Sequence, residues 1–230
     1  MNEKTQIACA ACGIGFALFY VLGWWIIGGF VPPHEPLLGA SELAQSYIRD
    51  TGTIRFGLLL AMIGSGMMVP FSAVIAVQMQ RIEGRLPVLA YTELVAGAVG
   101  TIILLIPTVL WTAAAFRPER NPELILLLND FAWLFLIMTF PPFFVLFVSI
   151  GLAILSDQRE SPLFARWSGY FNIWLAVLAI PGGLITFFKT GPFAWNGLLA
   201  FWVPIGVFVA WFFVMFYVLL KAIRTPPSEA

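Results

Sequence analysis

Six apolar runs, at about 6–30, 54–79, 87–115, 123–155, 163–188 and 196–220, take up most of the chain and decide what it can become. Bilayer hydrocarbon about 30 Å thick is crossed by about 20 apolar residues in a helix, and each run is long enough. Charge points the same way. Only 10% of the residues are charged, against about a quarter in a soluble domain, which is too little to cover a surface facing water. In lipid a segment must satisfy its own backbone N–H and C=O groups, so spans of this length are helices. The expectation is an all-α integral membrane protein: a six-transmembrane-helix bundle forming a single domain over 1–230, in an inner or plasma membrane. The opening run is too long for a cleaved signal peptide and lacks its cleavage pattern.

The connections set the orientation. Lys4, Arg81, Arg85, Arg159, Arg166, Lys221 and Arg224 fall on one side, and Arg49, Arg55, Arg117, Arg120 and Lys189 on the other. The positive-inside rule then places both termini on the cytoplasmic side. Between the first two runs, "VPPHEPLLGASELAQSYIRDTGTIR" is long for a bundle loop. In it Ser41 is a helix-capping residue type, Gly52 a terminating one, and Leu43 and Tyr47 share a face. This reads as a short amphipathic helix in the first outer loop, lying at the membrane surface or over the bundle.

Prolines recur inside the spans. "MMVPFSAVIAV", "TFPPFFVLFVS" and "FWVPIGVFVAW" resemble one another and run in the same direction, with Pro70, Pro141 and Pro142, and Pro204 within them. An interior proline removes a backbone hydrogen bond and bends a helix. Helices 2, 4 and 6 are therefore expected to be bent, the kind of interruption that marks binding sites in membrane transporters.

Two ionisable residues lie inside spans, Glu93 and Asp130, each costing about 2.5–3.5 kcal/mol at a helix centre. At about 1.5 Å per residue, Glu93 stands roughly 9 Å along the third span and Asp130 roughly 12 Å along the fourth. The two helices start on opposite faces, so the acids belong to opposite leaflets and form no carboxylate pair. Arg166 and Arg85 lie at similar depth on the same side, so Glu93 reads as half of an intramembrane ion pair, with Arg166 as the candidate partner, or as an interfacial acid. Asp130 reads either as an interfacial helix start or as the polar edge of an outward-facing cavity.

Composition removes whole chemistries. His34 is the single histidine, so membrane haem and histidine-rich iron or copper sites have too few ligands. Cys9 and Cys12 read as small packing residues, and no metal site or cofactor is expected. Zero net charge gives no field for nucleic acid. What remains is aromatic: 22 Phe and 9 Trp. Trp24, Trp25, Trp111, Trp133, Trp167, Trp195 and Trp202 fall near span ends, where an interfacial belt is expected. Phe140, Phe143 and Phe144, with Trp174 and Phe208 at similar depth, can line a cavity opened by the prolines, with Asp130 and Asn172 as polar landmarks.

The reading is a polytopic membrane protein that binds or moves a small hydrophobic molecule in an aromatic-lined intramembrane cavity, rather than an enzyme. Membrane lipid and a homo-oligomeric or partner subunit complete the expected surroundings. Two alternatives stand beside it: a non-catalytic accessory or anchoring subunit of a membrane complex, and a cofactor-free enzyme using Asp130 or Glu93 as acid or base on a lipophilic substrate.

Overall fold

The computed structural model describes residues 2–226, whose regular structure is all helical, with no strand among them. Six helical stretches are long and apolar enough to cross a membrane: Glu3–Ile27, Thr51–Glu83, Val88–Phe116, Pro122–Ser156, Arg166–Thr186 and Leu198–Arg224. Helix α1 (Glu3–Tyr20) runs on into a π-helical segment, Val21–Ile27. The second span is α3 (Thr51–Gly66) followed by α4 (Met68–Glu83), and the third is a single helix, α5 (Val88–Phe116). The fourth divides into α6 (Pro122–Met138) and α7 (Pro141–Ser156). In the fifth, α8 (Arg166–Ala179) tightens into a 3₁₀ segment, Ile180–Thr186. The sixth opens as a π-helical segment, Leu198–Trp202, and continues as α9 (Val203–Arg224).

The helix breaks have a local cause. Proline lacks the N–H that the carbonyl four residues earlier would accept. For Pro70 and Pro142 that earlier residue is Gly66 and Met138, the last residues of α3 and α6. For Pro204 it is Ala200, inside the π-helical segment. Pro107, by contrast, lies within an uninterrupted α5.

The spans close into a ring. Helix α1 packs on α3 and α4, these on α5, α5 on α6 and α7, α7 on α8, α8 on α9, and α9 back on α1. Glycines allow the tightest approaches, as small residues do between membrane helices. At Gly57 an added Cβ would stand 2.3 Å from the Gly23 carbonyl oxygen, so α3 and the π-helical end of the first span meet backbone to backbone. The middle of the ring is filled by rings, among them Phe16, Phe71, Phe208, Trp211 and Phe212, with centroids 4.4–6.3 Å apart.

The short helix expected between the first two spans forms as α2 (Ala40–Arg49), but with different ends from those expected. Gly39, in an extended conformation, takes the N-cap position, and Ser41 lies inside the helix. Asp50 ends α2 and starts α3, which puts Gly52 within α3. Burial sets this register. Leu43, Ala44 and Tyr47 face inward, and the Tyr47 hydroxyl donates to Asn129 Oδ1 on α6 at 3.1 Å. The helix is therefore fastened to the bundle by a buried hydrogen bond.

At the opposite end polar groups tie helix termini together. Arg81 donates to Gln78 Oε1 and to the carbonyls of Ala222 and Thr225, each at 2.8 Å, which secures the end of α9. The Glu83 carboxylate accepts from the N–H groups of Leu89 and Ala90 at the start of α5, at 2.9 and 2.8 Å. Such a contact satisfies orphan donors and complements the helix dipole. Asp157, just beyond α7, accepts from Arg159 and from the Leu163 N–H at 2.7–3.2 Å.

Candidate functional site

A partly open cavity of 140 Å³ lies between α1, the α6–α7 break, α8 and α9. Irregular stretches of the first, fourth, fifth and sixth spans contribute to its wall. Val21, Trp24 and Trp25 come from the first π-helical segment, and Leu136, Ile137 and Phe140 from the α6–α7 break. Gly182 comes from the 3₁₀ segment, and Ala200 and Phe201 from the second π-helical segment. Irregular backbone is tolerated at membrane depth only inside protein or around a cavity, and four of the irregular stretches meet here, while the α3–α4 break ahead of Pro70 lies outside the wall.

The break itself is built from "MTFPPFF". Pro141 and Pro142 leave the Ile137 and Met138 carbonyls without their helical donors. The Thr139 hydroxyl turns back to the Phe135 carbonyl. The 3₁₀ segment "IPGGLIT" fits against the break because two of its residues lack side chains. A Cβ at Gly182 would stand 2.7 Å from the Ile137 carbonyl oxygen, and one at Gly183 2.7 Å from the Phe140 ring.

Phe140, Phe143 and Phe208 are in the cavity wall, and Phe143 meets Phe208 edge to face at 5.2 Å. Other residues expected to join them stand elsewhere. Phe144 is half-buried against the core, outside the wall. Trp174 is 67% exposed on the outer face of α8, because its neighbour Leu175, turned about 100° around the helix axis, is the residue that points inward. Asn172 is buried but occupied: its Nδ2 donates to the Ser168 carbonyl at 2.8 Å and its Oδ1 accepts from Trp211 Nε1 at 2.9 Å. It joins α8 to α9. Asp130 is half-buried on α6 away from the cavity wall, with one carboxylate oxygen lacking a hydrogen-bond partner among the described residues.

Glu93 and Arg166 do not pair. The two ion pairs among the described residues are Arg49–Asp50 and Arg159–Asp157. Arg166 is exposed at the start of α8, whereas Glu93 is fully buried on α5, near Ser72 of α4. Neither carboxylate oxygen of Glu93 makes a hydrogen bond of regular geometry among the described residues. Ser72 is held there by Gly97, where a Cβ would come within 2.0 Å of the hydroxyl oxygen. A buried pair is destabilised when one partner is lost, whereas Glu93, beside Ser72 and outside both ion pairs, has no charged partner to lose. Glu93→Gln, of the same shape, is accordingly expected to leave the thermal midpoint of unfolding unchanged or raise it slightly. A fall of more than about 5 °C, roughly 2 kcal/mol for a chain of this size, would reveal a bonded Glu93.

Three tryptophans also stand elsewhere than their place near span ends suggests. Trp24, Trp111 and Trp133 are fully buried rather than lying in an interfacial belt. Their rings form one cluster, with centroids 5.1–5.8 Å apart, closed by Phe30 and Phe201. Their three indole N–H groups have no acceptor among the described residues. Trp24 belongs to both the cluster and the cavity wall. The signal was present in the sequence: Phe16, Tyr20 and Trp24 recur every four residues on one face of the first span.

Comparison with protein-family models, with curated proteins and with solved structures finds no match for this chain. The site's own chemistry therefore carries the functional reading. No Asp, Glu, Lys, Arg or His lies in the cavity wall among the described residues, and Tyr20 supplies its one hydroxyl. Such a wall can hold an apolar molecule and orient it by a few hydrogen bonds.

Proposed function

We propose that this protein binds, and moves between bilayer and bundle, a small hydrophobic molecule that enters the aromatic cavity from the lipid. One observation carries the reading: the irregular segments of the first, fourth, fifth and sixth spans all converge on the same cavity. Interrupted helices cost backbone hydrogen bonds, and in transporters they frame the substrate. Half-buried wall residues, including Ile137, Ala179, Ile205 and Val209, form the side toward the lipid. In this reading the breaks ahead of Pro70, Pro141 and Pro204 are hinges, both termini are cytoplasmic, and the six spans act as one domain that self-associates in the membrane.

Size limits the occupant. An apolar cavity of about 150 Å³ stays dry and takes one benzene ring. At 140 Å³, this cavity takes a ring or a short branched segment, and the rest of a longer molecule extends into the bilayer.

Organic extraction of the purified protein followed by mass spectrometry tests the reading. Wild type is expected to carry a stoichiometric lipophile. Ala179→Phe, which fills the cavity from α8, is expected to lose it while keeping its helical circular-dichroism spectrum and its thermal midpoint. A wild-type preparation holding only bulk lipid, in the same proportions as the filled variant, would sink the proposal.

A further inference from the structure

We infer that Tyr20 and Trp24 form a hydrogen-bonding clamp for an oxygen atom on the bound molecule, so that the cavity selects a neutral lipophile with a carbonyl or hydroxyl head over a hydrocarbon or a charged amphiphile. This inference rests on the ligand-binding reading of the cavity and specifies its substrate class.

The two residues are one helical turn apart at the end of the first span, with ring centroids 5.7 Å apart, and both are in the cavity wall. Both are more than nine-tenths buried. The Trp24 indole N–H has no acceptor among the described residues. The Tyr20 hydroxyl makes a long bond, 3.5 Å, to the Leu104 carbonyl, which accepts as part of α5. A bond of that length is at the limit of the interaction and leaves the hydroxyl free to turn toward a better acceptor. Buried donors are nearly always satisfied, because leaving one unpaired carries its full desolvation cost. Here an unpaired donor and a weakly paired one belong to neighbouring residues of an otherwise apolar wall, and the clamp requires an oxygen of the bound molecule to reach both.

The wall also sets the charge of the occupant. With no cationic side chain in it among the described residues, a carboxylate or phosphate head would be buried without a counter-ion. With no anionic one, an ammonium head fares no better. A neutral oxygen remains. A carbonyl and a hydroxyl share the acceptor lone pairs that the clamp reads, and matched ketone and alcohol probes tell them apart.

The experiment is quenching of tryptophan emission, with the protein in nanodiscs, by chain-brominated ten-carbon probes that differ only at the head: alcohol, methyl ketone, hydrocarbon and carboxylate. Concentrations are expressed as mole fraction in the lipid, so that partitioning cancels. The alcohol or ketone is expected to bind about five- to tenfold more tightly than the hydrocarbon, the difference one or two net hydrogen bonds make. The carboxylate is expected to bind most weakly. Tyr20→Phe, which removes only the hydroxyl, and Trp24→Phe, which removes the N–H together with part of the indole, are each expected to cut the preference for the oxygenated probe over the hydrocarbon, measured on the same variant, to about threefold or less. If hydrocarbon and oxygenated probes bind equally to wild type, or if both variants keep the full preference, the clamp is overturned while the cavity reading survives. If no probe saturates, the cavity reading itself fails. The selectivity of the wild type decides the matter even if one variant does not fold.

Discussion

Gly57→Val should be among the most damaging single substitutions in this protein, lowering the thermal midpoint by roughly 6–12 °C. The argument is geometric. At Gly57 an added Cβ would lie 2.3 Å from the Gly23 carbonyl oxygen, 2.6 Å from the Gly28 nitrogen and 2.8 Å from the Gly28 Cα. All three are backbone atoms of the irregular end of the first span, so no side chain can rotate away. The reciprocal contact is equally tight, since a Cβ at Gly23 would stand 2.4 Å from the Gly57 oxygen. Relief requires the two helices to part, and overpacking a rigid contact costs about 3 kcal/mol. The same displacement moves Trp24, next in sequence to Gly23, so ligand retention should fall along with stability. Gly66→Ala is the control, because a Cβ there meets nothing within 4 Å. Equal midpoints for Gly57→Val and Gly66→Ala in a circular-dichroism melt would show that the two backbones do not touch.

Asp157→Asn is expected to cost about 3 kcal/mol, with the loss confined to pH values where the carboxylate is charged. The Asp157 side chain is 2% exposed and binds Arg159, which is 33% exposed and so only partly desolvated. That partial exposure puts the cost at the low end for a buried pair. Burial works against the charge on Asp157, but the bonds from the Arg159 guanidinium and from the Leu163 and Arg159 N–H groups outweigh it and hold the carboxyl below its ordinary value. A depressed carboxyl stabilises the fold fully above its unfolded value, about 3.9, and the contribution is lost as pH falls through the folded value. The gap in thermal midpoint between wild type and Asp157→Asn should therefore be constant from neutral pH to about pH 4 and narrow below it. A gap of the same size at about pH 3 would mean that the carboxylate is not the stabilising group.

These two sites show where sequence reading stops. Gly57 and Gly23 are unremarkable among 20 glycines, and nothing local marks them as partners across 34 residues of chain. Asp157 sits in an ordinary polar connection, "SDQRESP", until Leu163 folds back onto it. Part of the cavity was legible, because "FPPFF" places aromatic residues beside missing backbone donors. Trp174 was assigned to the wall by depth alone, and Trp24 to the lipid interface by its place near a span end. Depth along a helix is a one-dimensional property, whereas the direction of a side chain depends on the helix's rotation about its own axis.

In a soluble protein the hydrophobic periodicity reveals that rotation, because one face is polar. In a bilayer the outer face is as apolar as the core, so the pattern carries little directional information. Phe212 is buried and its neighbour Phe213 is 47% exposed, with the same side chain in both places. The sequence by itself therefore determined that the chain is helical and that six of its helices are long and apolar enough to cross a membrane, since these follow from summed transfer energies. The tertiary structure alone decided which aromatic rings turn inward, that Glu93 is left without Arg166, and that the irregular helix ends converge on one cavity. Those outcomes depend on close packing between distant segments, which van der Waals contact rewards only after the ring has closed.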